Sequence, residues 1–218
     1  MKKILINMVF PATIFFVANT HISAFTKTDE LLNAIETQNV SLVDALVRYG
    51  VDPNLNIEVY NTTPLMHAVD TSTVGVVESL IKHGSKVDVA DSLGTTPLIY
   101  SIKTNKEDIA SVLIKKSRNI NMKDNKGLSA LHYAAKQGNE KLFKQILATG
   151  GNLTDVDRQG NNALFFAIAG RNKKIINKLI EENTFDLTHK NKSGETAYKV
   201  AQRHGMRDIA ARVKRGRN

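Results

Sequence analysis

Two periods overlap in the pattern of apolar and polar positions along this chain. Within short runs, apolar residues fall three and four apart, the spacing of one face of an α-helix. Over longer distances the same runs return about every 33 residues. Aligned on Asp29, Thr63, Thr96, Ser129, Asn162 and Thr196, the steps are 34, 33, 33, 33 and 34 residues, and six units fill nearly the whole chain after residue 25. A period of this length marks a stack of small structural units.

Each unit predicts two helices. The first carries Leu31, Leu65, Leu98, Leu131, Leu164 and Tyr198 in register, followed by Ala34, Ala68, Ser101, Ala134, Ala167 and Ala201. The second carries Leu42, Val76, Ile109, Leu142, Ile175 and Ile209, then Leu46, Leu80, Leu113, Ile146, Leu179 and Val213. A third column reads Val47, Ile81, Ile114, Leu147, Ile180 and finally Lys214. Small residues let the first helix pack closely, and branched ones on the second fill the gap between neighbours. One helix pair cannot bury its own apolar face, so the core must run continuously through the stack. The change to Lys214 suits a last unit with nothing beyond it.

The linking residues resemble the ankyrin repeat. That family's signature is Asp, two residues, Gly, one residue, then Thr-Pro-Leu-His-x-Ala, with Leu-x-x-Gly ending the second helix. Here Asp91-Ser-Leu-Gly94-Thr-Thr96-Pro97-Leu98 matches its opening, while Thr63-Pro64-Leu65 and Ser129-Ala130-Leu131-His132 match well. Gly50, Gly84 and Gly150 end second helices, and Asn183 stands near the equivalent place. Ala130, Ala163 and Ala197 replace the proline and Asn61 replaces a turn glycine, which implies divergent repeats of lower stability. The resemblance covers about residues 28–216. It implies an all-α ankyrin-repeat solenoid of about six stacked helix-turn-helix units joined by β-hairpin-like loops. The units are a capping repeat at 25–57, repeats at 58–90, 91–123, 124–156 and 157–190, and a C-terminal capping repeat with a basic tail at 191–218.

His132 stands where the family has its histidine, a position that braces the turn by hydrogen bonding. Met66, Ile99, Phe165 and Lys199 occupy the same register in other units. No second catalytic group is placed to serve it, so it reads as structural. Gly150-Gly151 belongs to an inter-repeat turn, where both glycines are expected at positive backbone angles rather than around a phosphate. No phosphate loop, metal-binding histidine pair or nucleophile elbow occurs. The chain is expected to be non-catalytic and to need no cofactor or metal.

The first residues form a different part. Lys2 and Lys3 precede residues 4–18, which are apolar apart from Asn7 and Thr13, and Ser23 and Ala24 follow. This is the outline of a secretory signal peptide over residues 1–24, with cleavage at Ala24. An uncleaved anchor is the alternative, although fifteen residues interrupted by Pro11 fall short of the roughly 20 that span a bilayer. Thr28 is expected to cap the first repeat helix. The chain has no cysteine. That excludes thiol catalysis and, with the leader, suits a bacterial periplasm or secretion.

The formal net charge is +9, and +7 without the two leader lysines. In ankyrin-like stacks the hairpin tips and the outer side of the first helix form a concave binding face. Carried over position by position, that face includes Tyr60, Asp70, Leu93, Lys103, Lys126, Lys136, Arg158, Gln159, Lys192, Arg203 and His204. Tyr60, Leu93, Lys103, Lys126, Lys136, Arg158, Lys192 and Arg203 are the expected partner-binding residues. Tyr and Arg are the types most enriched at interface hot spots. The row becomes basic towards its C-terminal half and fits an acidic protein segment. Solubility is the competing reading, because second helices also carry Lys115, Lys116, Lys173 and Lys174. The tail residues Arg207, Arg212, Lys214, Arg215 and Arg217 suit a polar cap, with contact to an anionic surface as a further use. No nucleic-acid motif or aromatic stacking platform is present, so nucleic acid is not an expected partner. The function these residues point to is an exported protein-interaction module. The alternatives are an effector delivered to a host cell and a periplasmic protein that supports an envelope or oxidative-stress enzyme.

Overall fold

The computed structural model describes residues 19–57, 62–71, 73–181 and 186–215, with side chains from residue 27. Twelve helices occur among these residues, and they pair in sequence order: α1 (Asn19–Glu36) with α2 (Val40–Arg48), α3 (Pro64–Thr71) with α4 (Val74–Lys82), α5 (Pro97–Lys103) with α6 (Glu107–Lys116). Then come α7 (Ala130–Gln137) with α8 (Glu140–Ala148), α9 (Ala163–Ala169) with α10 (Lys173–Glu181), and α11 (Ala197–Arg203) with α12 (Arg207–Arg215). Odd helices pack on odd and even on even, giving two helical layers. The chain is an all-α solenoid, as the repeat pattern predicts.

The starts of the first helices follow from local chemistry. Thr63 and Thr96 accept hydrogen bonds through Oγ1 from the backbone N–H of Met66 (3.3 Å) and Ile99 (3.2 Å). Such caps satisfy donors that the helix itself leaves unpaired. Pro64 and Pro97 follow directly, where a missing N–H costs nothing. Asn39 and Asn139 cap α2 and α8 in the same way, at 3.1 and 2.9 Å. Thr28 does not act as a cap. It lies inside α1, because residues 19–36 contain no glycine or proline to stop helix propagation. Residues 1–18 of the expected leader, Asn61 and Asn183 lie outside the described residues.

The predicted columns form the core. Leu65, Ala68, Leu80, Leu113, Leu131, Ala134, Leu142, Ile146, Leu164, Ala167 and Leu179 are each no more than 1% exposed. Burying one such leucine or isoleucine contributes about 1.5–3 kcal/mol. A further column, Val43, Val77, Ala110, Phe143, Ile176 and Ala210, is no more than 3% exposed. Leu42 departs from its column at 38% exposed, because no described element stacks on the outer side of the first unit. At the other end Lys214 is exposed, and so is Gln202, whose register mates Ile102, Ala135 and Ile168 are fully buried.

Polar side chains hook each unit to the next. Asn54 donates to Gly84 O (3.0 Å) and accepts from Lys86 N (2.7 Å), and Asn121 repeats this with Gly150 O and Asn152 N. At the intervening junction Ser117 replaces the glycine and Asp88 replaces the asparagine. The acceptor-only carboxylate then meets three donors: Ser117 Oγ at 2.7 Å, Arg118 N at 2.8 Å and Asn119 N at 3.3 Å. Gly50, Gly84 and Gly150 do end second helices at φ near 95–98°. Gly151 does not share the positive angle. It is small because a Cβ there would lie 2.8 Å from Ile146 O.

Two opposite effects on stability follow from the turns. Gly127 sits at φ +81°, and a Cβ would approach Arg158 N to 2.8 Å. Gly127→Ala should therefore destabilise the stack by about 2 kcal/mol or more. Arg171 holds φ +58° without being glycine. Arg171→Gly should relieve about 1 kcal/mol of left-handed strain and raise the urea midpoint. Equilibrium urea denaturation of both variants checks the pair.

Candidate functional site

The loops before α5, α7, α9 and α11 project as a row of fingers. In each, one side chain closes the turn on itself. Asp91 Oδ1 accepts from Leu93 N (2.8 Å) and Thr95 N (2.7 Å), Asp124 and Asp157 make equivalent pairs, and Asn191 does so in the last unit. Backbone bonds then lace finger to finger: Asn125 N to Leu93 O (2.9 Å), Arg158 N to Lys126 O (3.0 Å) and Lys192 N to Gln159 O (2.8 Å). Isolated antiparallel bridges at Lys123–Ser129 and Lys190–Thr196 close two of the finger bases. This lacing brings Leu93, Lys126, Arg158 and Lys192 onto one strip. Leu93 is 63% exposed despite being apolar, which suits a contact residue rather than a core one. Tyr60 lies outside the described residues.

Beside the strip, the ends of the first helices form a second row: Glu36, Asp70, Lys103, Lys136, Ala169 and Arg203. Lys103 lies over the Tyr133 ring, 5.7 Å from its centroid, a cation–π arrangement. Lys103, Lys126, Lys136, Arg158 and Lys192 have no carboxylate partner among the described residues. Arg203 differs from them, because its guanidinium pairs with Glu195 and its charge is already answered within the chain. Of the expected basic residues, then, five offer free charge and one does not.

A third row was not read from the sequence. His67, Tyr100, Tyr133 and Phe166 occupy equivalent positions on successive first helices and are half-buried along the groove floor, with Val200 continuing the line. The signal was present as four rings at 33-residue spacing, between two columns that were read as core. Tyr100 donates to Asp70 Oδ1 at 2.7 Å, and this bond together with burial pushes its hydroxyl up to about 12. Tyr133 donates to Asp124 Oδ2 at 2.6 Å, and burial and that bond push it well above the ordinary tyrosine range. Both phenols therefore stay neutral donors. At the N-terminal end the groove opens into a cleft of about 430 Å³ lined by Glu36, His67, Asp70, Asp91 and Tyr100. At the C-terminal end lies a smaller one of about 130 Å³, lined by Phe166, Val200, Glu195, Arg203 and His204.

His132 lies beneath this face and is 1% exposed. Its Nδ1 accepts from Ser129 N at 3.1 Å, and its Nε2 contacts Asp155 O at 3.1 Å. The ring meets Phe166 edge-on at 5.2 Å. It thereby ties the start of α7 to the following loop and to α9. Neither nitrogen faces a substrate site. Among the described residues no group of three or more His, Asp or Glu is arranged to hold a metal ion, and no helix is long and apolar enough to cross a membrane. Desolvation holds the His132 imidazole below its usual range against the opposing pull of Asp155 O. The folded state thus binds this proton less readily than the unfolded chain, whose histidine titrates near 6.5. Its stabilising contribution is complete above about pH 6.5 and falls as pH drops below that. His132→Gln should flatten the loss of stability between about pH 6.5 and 5, measured as urea midpoints across that range against wild type.

The chain matches the family profile for ankyrin repeats (3 copies) over residues 31–124, 74–155 and 131–213. No curated protein matches. Among solved structures it is similar to a chain in the complex of the predatory endopeptidase Bd0816 from Bdellovibrio bacteriovorus with the immunity protein Bd3460. That match has 28% identity and a TM-score of 0.74 and covers 85% of this chain and 97% of that one. The repeat register, the laced fingers and the matched span together establish that this chain belongs to the ankyrin repeat family.

Proposed function

We propose that this protein is an exported, non-catalytic interaction module that holds an acidic region of a protein partner in its concave groove. Ankyrin repeats are protein-interaction modules, and the immunity protein of the similar structure is in complex with an endopeptidase. One contrast carries the finer reading. On the convex helices Lys115, Lys116 and Arg207 are exposed without an ion pair among the described residues, but several cations are answered within the chain: Lys141 by Glu107, Lys144 and Lys174 by Glu140, Lys173 by Asp208, and Arg212 by Glu181. On the concave face Lys103, Lys126, Lys136, Arg158 and Lys192 are not. The concave five stand in register along one strip and its neighbouring row, so their charge is concentrated on one face in a way that solubility alone does not require. Exposed pairs contribute little to stability, so the distribution bears on recognition. Such a field speeds encounter with an acidic partner and rejects a basic one.

Export rests on the basic start at Lys2 and Lys3 and the apolar run over residues 4–18. An exported chain meets its partner in the periplasm or outside the cell, away from nucleic acid. The likeness to the immunity complex favours an enzyme as that partner, held so that its activity is restrained. The basic tail on α12 adds an anionic surface as a second, weaker contact.

The test is cross-linking in the native host with the tagged full chain beside a variant carrying Lys103→Glu, Lys126→Glu, Lys136→Glu and Arg158→Glu. Capture of the main partner should fall about tenfold or more in the variant. Equal capture by both would move the site to the convex side or the tail.

A further inference from the structure

The charged row of the groove changes sign along the stack. Glu36 and Asp70 end the first helices of the first two units, Lys103 and Lys136 those of the next two, and Arg203 that of the last. The finger cations Lys126, Arg158 and Lys192 all lie on the positive side of that change. The acidic end is not closed off internally. Glu36 uses Oε1 for His67 (3.2 Å) and Asp70 uses Oδ1 for the Tyr100 hydroxyl (2.7 Å). The other oxygen of each accepts nothing among the described residues. The half-buried rings of His67, Tyr100, Tyr133 and Phe166 run beneath the whole row.

We infer that the groove takes a partner segment of ordered charge. Its Lys or Arg side chains lie over α1 and α3, its Asp or Glu side chains lie over α5 to α11 and their fingers, and apolar or ring side chains among them rest on the aromatic floor. The inference rests on the concave face being the partner site. Packed helices sit about 8–10 Å apart, so the three steps from Glu36 to Lys136 span roughly 27 Å. The Debye length at physiological salt is about 8 Å. The two ends are therefore felt separately rather than as an average. A uniformly acidic segment would set its carboxylates against Glu36 and Asp70. A uniformly basic one would meet Lys103, Lys126, Lys136 and Arg158. Only a segment that changes sign gains at both ends. At about 3.3 Å per residue, an extended segment of roughly 14 residues reaches from Glu36 to Arg203.

The experiment uses the full chain and three fluorescein-labelled peptides of about 16 residues with interspersed tyrosines. One has lysines in one half and glutamates in the other. One has the same composition with alternating signs. One keeps the glutamates and has serine for every lysine. Fluorescence anisotropy at low salt should show the block peptide binding about fivefold tighter than either of the others. In a Glu36→Gln/Asp70→Asn variant, which keeps the acceptors for His67 and Tyr100, that advantage over the glutamate–serine peptide should vanish. If wild type binds the glutamate–serine peptide as tightly as the block peptide, the ordered-charge inference is wrong while the acidic-partner reading stands. If neither glutamate-bearing block nor glutamate–serine peptide binds, and Lys103→Glu/Lys136→Glu changes nothing, the concave-face reading fails with it.

Discussion

A unit of two short helices has apolar surface on both flanks and no interior of its own. Every other feature of this molecule depends on that constraint. Val77 on α4 and Phe143 on α8 are fully buried only because the next helix pair covers them. Stability is then shared between neighbours rather than owned by any unit. The ends show the rule by exception. Leu42 keeps its column's apolar character and is 38% exposed, while Gln202 and Lys214 depart from the apolar pattern in the last described unit.

Stacking sets spacing, and polar bonds set register. Asn54 and Asn121 each bond a donor and an acceptor on the following loop, using both ends of one amide side chain. Asp88 shows how the hook changes when its neighbour does. With Ser117 in place of a glycine there are three donors to satisfy, and a carboxylate serves them all. The fingers repeat the logic at the groove edge. Their turns close on Asp91, Asp124 and Asp157, and their backbones bond to each other. Gly94 and Gly127 are required there because a side chain would strike the next finger's backbone at 2.9 and 2.8 Å. A surface so laced is ordered before a partner arrives, which lowers the entropy lost on binding.

Charge is distributed on top of this scaffold. Lys141, Lys144, Lys173 and Lys174 on the convex side find carboxylates on the same or the adjacent helix, while Lys103, Lys126, Lys136 and Lys192 line the concave side without one among the described residues. The phenols of Tyr100 and Tyr133 are held neutral beside Asp70 and Asp124, so the groove keeps hydrogen-bond donors among its rings. Rings and unpaired cations thus share one face of the stack. His132 lies close beneath yet serves only the framework, as an interior histidine with both nitrogens engaged.

The repeat length, the helix pairs and most of the core were legible in the chain, because a 33-residue period and a three-to-four spacing survive any local irregularity. So was the structural role of His132, from the lack of a second catalytic group. The aromatic row His67–Tyr100–Tyr133–Phe166 was visible as letters but not as a floor, since its exposure depends on how the first helices turn against one another. The start of α1, the small size of Gly151 and the pairing of Arg203 with Glu195 were likewise beyond the sequence. Each depends on which atoms a neighbour brings near. Periodicity is a property of the chain and determines the architecture. Whether a lysine is paired or free, and whether a ring is core or surface, is a property of distances between units that only the stacked structure decides.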